Sequence, residues 1–253
     1  MLPSERQGDI LERINGAGYA KATDLQEIFG VSHMTIQRDL RDLEHRGLIK
    51  RVRGGAASLD TRDLGYGLRE RINRLEKEAI GRAAAALVQN GQSVFVDAGT
   101  TALEVARHLV KRSIKLNLVT SSVKVSAEIS GQPMLQVRQL GGDIYAQSFG
   151  VIGPEVVKAL GHLNLDWAFL STAGVDAKTG LTNNNHLEVA VKQAAMLSSR
   201  RVVFLADSSK LSLTKLVQIT PLNTPHTLVT TKQLPSGEQK KFEKLGWEVI
   251  IAN

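Results

Sequence analysis

The sequence predicts an α/β protein built in two parts: a small N-terminal domain of helices and a hairpin, then a larger domain of alternating strands and helices. Three observations predict it. The first sixty residues carry short stretches of helical apolar spacing followed by a basic run broken at Gly54-Gly55. From about residue 92 onward, short β-rich runs alternate with helical patterns, the signature of a mainly parallel sheet covered by helices. Between the two, residues 60–74 are polar and charged, with glycines at 65 and 67, which reads as a linker. The expected division is therefore 1–59, a linker at 60–74, and 75–253.

The first helix is expected over 5–14, with Ile10, Leu11 and Ile14 on one face and Gly16 and Gly18 stopping it. A second, over about 23–29, presents Leu25, Ile28 and Phe29 to the same core and breaks at Gly30. The third begins at Ser32, an N-cap residue, with Val31 placed to pack on Ile36 as a hydrophobic staple. Ile36, Leu40 and Leu43 line its inner face. Met34, Gln37, Arg38, Arg41 and His45 fall on the wet side, and Gly47 ends it as a C-cap residue would. LIKRVRGGAASL then reads as two strands joined at the glycine pair. Helix, helix-turn-helix and basic hairpin, in that order, make a winged helix-turn-helix domain.

In the larger part a helix is expected over 76–89, with Ile80, Ala83, Ala84 and Leu87 inward. SVFVDAGTT reads as a buried strand running into a small-residue loop, and ALEVARHL as the helix after it. LNLVTSS and VKVSAEI repeat the pair. LQVRQLGG, DWAFLSTAGV, RVVFLADSS, HTLVTT and EVIIA are further strands, with helices near 187–197 and 238–245. Trp167 and Trp247 lie in strand-like runs and read as core. The polar run 183–186 reads as a turn and helix cap, with a place on a ligand rim as the alternative. Tyr145 and Phe149 sit in a Gly-bounded loop, for which closure over a ligand and plain packing both stay open.

Bulk properties narrow the classes. No apolar run approaches the length of a membrane span, and the charged start MLPSERQGDILERI has no secretory h-region, so a cytoplasmic protein with no membrane partner is expected. With no cysteine there is no disulfide framework, thiolate nucleophile or Cys-based zinc site, and the six histidines are scattered, so neither metal nor cofactor is expected. A net charge of +7 suits a polyanionic partner.

Two constellations carry chemistry. Reading a duplex requires a rigid helix whose N-terminal half offers hydrogen-bonding side chains to the major groove, with cationic or neutral donors nearby for phosphates. Ser32, His33, Thr35, Gln37, Arg38 and Arg41 on the third helix, with Lys50, Arg51 and Arg53 on the hairpin, meet that description. In the second, Asp97-Ala98-Gly99-Thr100-Thr101 joins a strand to a helix, and small residues there let backbone amides approach an anion. Neither a P-loop nor a dinucleotide fingerprint is present.

The stretch 31–56 resembles the N-terminal signature of the DeoR family of bacterial repressors. The resemblance is carried by Val31, Ser32, Thr35, Ile36, Arg38, Asp39, Leu40, Leu43, Gly47, Arg51, Gly54, Gly55 and Ala56. Gln37 stands where that signature has an arginine. The C-terminal half is similar to the same family at Asp97 to Thr101, Thr120-Ser121-Ser122, Leu140-Gly141-Gly142, Gly180-Leu181-Thr182 with Glu188 and Lys192, and Asp207-Ser208-Ser209-Lys210. The resemblance implies a repressor acting on double-stranded operator DNA as a dimer or tetramer. It also implies a sensor domain similar in fold to ribose-5-phosphate isomerase and CoA-transferase-like enzymes, binding a phosphorylated sugar. The effector residues implied are Asp97, Gly99, Thr100, Thr101, Ser121, Gly141, Gly142, Glu188, Lys192, Asp207 and Lys210. Lysine and carboxylates together also suit acid–base isomerisation, so an isomerase with an appended DNA-binding head is the alternative. Ligand binding without catalysis is the expectation.

Overall fold

The computed structural model describes residues 3–17, 19–46, 48–58, 66–231 and 236–253. The chain divides into two compact units, Met1–Ile72 and Asn73–Asn253.

The first unit runs α1 (Pro3–Ala17), β1 (Tyr19–Lys21), α2 (Ala22–Phe29), α3 (His33–His45), β2 (Ile49–Val52), β3 (Gly55–Ser58) and α4 (Tyr66–Arg71). Ile10 and Ile14 of α1, Leu25 of α2, Ile36, Leu40 and Leu43 of α3 and Ile49 of β2 form one buried cluster. Helix α1 continues through Gly16 instead of stopping there; Gly18 and Gly47 lie outside the described residues. Gly30 closes α2 in the left-handed region (φ 62°), its N–H donating to the Gln26 carbonyl. Ile28 was expected inside and is half exposed, because α2 meets the core along the Leu25 and Phe29 line alone. Strand β3 pairs with β2 through the tight turn at Arg53-Gly54 and with β1 on its other side, which gives a three-stranded antiparallel sheet. Within the expected linker, 66–71 are helical; 59–65 lie outside the described residues. Leu68, Arg69, Glu70 and Arg71 are good helix formers, which outweighs the glycine at 67 in the first turn.

The second unit opens with α5 (Arg74–Ala86), β4 (Ser93–Val96), α6 (Thr100–Lys111), β5 (Leu116–Thr120), α7 (Val123–Ile129) and β6 (Leu135–Gln139). It continues with the hairpin β7 (Asp143–Tyr145) and β8 (Gly150–Ile152), then α8 (Pro154–Leu160), β9 (Leu165–Ser171), β10 (Gly174–Asp176), β11 (Gly180–Asn183), α9 (His186–Leu197) and β12 (Ser199–Leu205). The chain finishes with β13 (Val217–Thr220), β14 (Thr227–Thr231), α10 (Ser236–Lys244) and β15 (Glu248–Ala252). Seven strands form a wholly parallel sheet in the order β15-β14-β12-β9-β4-β5-β6. Its central strands are continuous apolar runs such as Val94-Phe95-Val96 and Ala168-Phe169-Leu170, fully buried, as strands covered on both faces must be. Strands β10, β11 and β13 make a small antiparallel sheet.

The strand order reverses beside β4. From β4 the chain steps outward to β5 and β6, then returns to the other side of β4 with β9 and steps outward again through β12, β14 and β15. The reversal lies between β4 and β9. In open α/β sheets the crevice outside the carboxyl ends of the strands at such a reversal is the general binding place.

Candidate DNA-reading surface and effector site

Helix α3 owes its start to Ser32, whose hydroxyl accepts from the Thr35 N–H (3.2 Å) and shares a hydrogen bond with the Thr35 hydroxyl (2.9 Å). Its seat is fixed underneath. Asp39, buried, accepts from Arg6 Nε at 2.6 Å and from Gln7 Nε2 at 3.2 Å, tying α3 to α1. His33, Arg38 and Arg41 are exposed on the outer side, with Thr35 and Gln37 half-buried. On the wing, Lys50 is exposed on β2 and Arg53 is exposed at the turn. Arg51 behaves differently from both. Its backbone N–H donates to Glu44 Oε1 (2.9 Å), and its guanidinium donates to Gln37 Oε1 (2.8 Å), so wing and helix meet there.

In the second unit, Asp97 follows β4 and is buried with Lys192 of α9, whose ammonium donates to its carboxylate. The Ser171 N–H at the end of β9 donates to the same carboxylate (3.0 Å), so Asp97 bridges the two strands of the reversal. Gly99 stands at the N-cap of α6 and brings no side chain. A Cβ there would lie 2.1 Å from Ser171 Oγ, so the close approach of loop and strand depends on glycine. The first-turn N–H groups of α6, having no carbonyl one turn back, lie just beyond the carboxyl end of β4 beside buried Thr100 and Thr101. Ser171 Oγ is buried with no hydrogen-bond partner among the described residues. Sequence reasoning missed Ser171, and no local pattern marks it.

Ser121 is buried at the end of β5, its carbonyl accepting from the Val151 N–H of the β7–β8 hairpin. That hairpin is the segment expected as a Gly-bounded loop. Gly150 on it packs so closely on Ala98 that a Cβ would come within 2.7 Å. Gly141 and Gly142 are exposed where β6 turns into the hairpin, at the same end of the sheet but beside its edge strand. Gly142 has φ 143°, and a Cβ there would meet the Ile152 carbonyl at 2.8 Å, so this pair is explained by the turn itself. Glu188 accepts from Asn183 Nδ2 (3.2 Å), while Lys192, one turn on, reaches Asp97. Asn185 caps α9, accepting from the Leu187 and Glu188 N–H groups. Both tryptophans are buried, Trp167 in β9 and Trp247 just before β15.

Asp207 follows β12 and is fully buried. Burial pushes its carboxyl up. The charges of Lys210 and Lys77 and the hydrogen bonds from Ser209 and Asn73 outweigh that and hold it below the usual carboxylate range. Asn73, in the left-handed region (φ 52°) at the N-cap of α5, donates to Asp207 Oδ1 at 3.0 Å. Glu76 on the first turn of α5 accepts from the Ser208 N–H and hydroxyl (both 2.8 Å) and from the Thr231 hydroxyl (3.1 Å). The start of α5 is thus sewn to the loop that carries Lys210. Sequence reasoning missed Asn73, Glu76 and Lys77. Lys77 had a signal: it lies three residues before Ile80 and seven before Ala84, a lysine on the buried face of its helix.

A cavity of about 180 Å³ lies at the opposite, amino-terminal edge of the sheet, lined by Leu87, Gln89, Gln92, Asp166, Trp167, Arg200 and Arg201. It holds none of the candidate residues. Among the described residues no helix is long and apolar enough to cross a membrane.

A capped outer helix beside a basic wing, joined in one chain to a parallel sheet whose strand order reverses beside Asp97 and Gly99, defines a helix-turn-helix transcriptional regulator with a sensor domain. Residues 6–62 match the DeoR-like helix-turn-helix domain and residues 72–232 the DeoR C terminal sensor domain. The chain belongs to the DeoR family. It is 34% identical to the HTH-type transcriptional regulator GlpR of Haloferax volcanii, over 99% of this chain and 98% of that one. It is 32% identical to the HTH-type transcriptional regulator GolR of Listeria innocua over the whole of both. It is 31% identical to the glycerol-3-phosphate regulon repressor of Escherichia coli K12 over 87% of each. Among solved structures, ribose 5-phosphate isomerase A of Methanocaldococcus jannaschii overlaps 55% of each chain at 19% identity with a TM-score of 0.41.

Proposed function

We propose that this chain represses an operon of sugar or carbohydrate catabolism in the cytoplasm and releases its operator when a phosphorylated sugar enters the crevice at the sheet reversal. The observation that carries the reading is the start of α6. Gly99 begins α6 without a side chain, and the free first-turn N–H groups lie beside Thr100, Thr101 and a Ser171 hydroxyl that has no hydrogen-bond partner among the described residues, which suits a phosphate group. Lys210, in the turn that follows the next strand over, β12, supplies a half-exposed cation. The relative named for the glycerol-3-phosphate regulon favours a phosphorylated effector.

In this reading His33, Thr35, Gln37 and Arg38 face base edges, while Arg41, Lys50 and Arg53 neutralise phosphates. Ser32 serves chiefly as the cap that aims the helix. Asp97 and Lys192 satisfy each other and shape the crevice instead of touching ligand directly. Gly141 and Gly142 serve the turn, and Glu188 orients α9. The signal leaves through Glu76 and Asn73, because a ligand held by Lys210 moves the loop to which both are bonded, at the first residues of the sensor unit. A dimer or tetramer reading repeated half-sites fits the helix-turn-helix class.

The enzyme reading makes a distinct prediction. A working isomerase would turn over a phosphorylated sugar, and Lys210→Met would abolish the turnover; a sensor binds the sugar and returns it unchanged. The deciding experiment measures binding to labelled DNA from around the gene, titrated with salt and with a panel of sugar phosphates. Tight, salt-sensitive, sequence-selective binding released by one of them supports the proposal. Turnover together with unselective DNA binding overturns it.

A further inference from the structure

We propose that Arg51 is a positioning residue that turns Gln37 into a reader of hydrogen-bond acceptors, so that Gln37 selects guanine at one base pair of each operator half-site. The inference rests on the reading of α3 as the recognition helix.

A guanidinium carries only donors. Arg51 lies 2.8 Å from one end of the Gln37 amide, so that end is the carbonyl oxygen and the opposite end is the NH2 group. The orientation of this amide, ambiguous for most glutamines, is fixed by its partner. The NH2 end lies 3.4 Å from His33 Nε2, which it meets as a donor. Arg51 is itself held, its backbone N–H bonded to Glu44 of α3. The array His33–Gln37–Arg51 therefore runs from the first turn of α3 to the wing, with one N–H turned to His33, the amide oxygen shared with the wing and the second N–H left for the groove.

A glutamine free to use both ends pairs with adenine, donating to N7 and accepting from N6. With Arg51 donating to its oxygen, Gln37 faces the groove with its second N–H beside a guanidinium that carries only donors, so a base amine approaching the shared oxygen meets further donors. Guanine, with acceptors at both N7 and O6, becomes the better partner, and cytosine, which offers a donor, the worst.

The test is selection from a DNA pool randomised across the half-site, with base preferences and affinities measured for the full-length wild type, Arg51→Ala, Gln37→Glu and Gln37→Ala. Thermal melts establish that each is folded. For the wild type one position per half-site prefers guanine, and Gln37→Ala loses the preference at that position alone. Arg51→Ala moves the preference there from guanine toward adenine by about tenfold. Gln37→Glu keeps the Arg51 contact as an ion pair but replaces donors with acceptors, so the preference moves toward cytosine. If Arg51→Ala lowers affinity equally for all sequences and the salt slope falls by about one, Arg51 is a phosphate contact and the inference is overturned. If the wild type selects no sequence at all, the reading of α3 as a recognition helix fails, and the inference with it.

Discussion

Replacing Lys192 with methionine tests whether the charges at the sheet reversal hold the fold or hold the ligand. The side chains of Lys192 and Asp97 are 3% and 5% exposed, and they are bonded to each other. Removing the ammonium leaves the carboxylate buried with the Ser171 N–H as its other bonded donor. Breaking a buried pair from one side costs about 3–5 kcal/mol, because the remaining charge is uncompensated. For a unit of this size each kcal/mol shifts the melting temperature by about 2–4 °C, so Lys192→Met lowers it by about 6–20 °C. The double variant Asp97→Asn/Lys192→Met carries no buried charge there, and its amide oxygen still accepts from Ser171. It recovers most of the loss. The assay is thermal unfolding of the wild type, both single variants and the double variant, read as a double-mutant cycle. A Lys192→Met protein melting within about 2 °C of the wild type would refute the reasoning and return Lys192 to a role facing the ligand.

Gly99→Ala places a Cβ 2.1 Å from Ser171 Oγ; it forces loop and strand apart, and calorimetric titration should show sugar-phosphate affinity falling while Arg38-dependent operator binding persists. Glu76→Gln should leave effector and operator binding each within about twofold of wild type yet reduce the coupling between them, which in regulated proteins is typically about 5- to 150-fold. Unchanged release by effector would remove Glu76 from the signal path. Asp207, held below its ordinary range, contributes stability that is full above the unfolded carboxyl value of about 4 and is lost as pH falls through its lower folded value. Acid melts should therefore decline less steeply for Asp207→Asn than for the wild type, and parallel acid limbs would refute the assignment.

What could be read in the sequence was local. Ser32 capping α3, Gly30 closing α2 and the tight turn before Gly55 are each decided within a few residues, and the structure has them in place. The alternation of apolar strands with amphipathic helices was equally plain, since strands buried on both faces cannot hide their composition. The β7–β8 hairpin was not legible: its two three-residue strands lack a long alternating pattern, and their pairing against Ser121 and Ala98 is tertiary. Helix α8 was missed although it carried a local signal, Pro154 in its first turn with Val156 and Leu160 on one buried face. Within the candidate site the residue types at Asp97, Lys192 and Asp207 were visible, but not that Lys192 would spend its charge on Asp97. Nor could the sequence show that Asn73 and Glu76 would reach across more than a hundred and thirty positions to the Asp207 loop. Such contacts depend on strand order, which spacing along the chain does not encode.

The most direct test of the central claim is reciprocity between the two sites. Calorimetric titration of the released sugar phosphate into the full-length protein, with and without saturating operator DNA, gives its affinity in both states. A regulator that couples the sites must bind the sugar phosphate more weakly on DNA, by the same factor by which the sugar phosphate weakens operator binding. Equal affinity with and without operator would mean that the crevice and the DNA-reading surface are not linked, and would contradict the account.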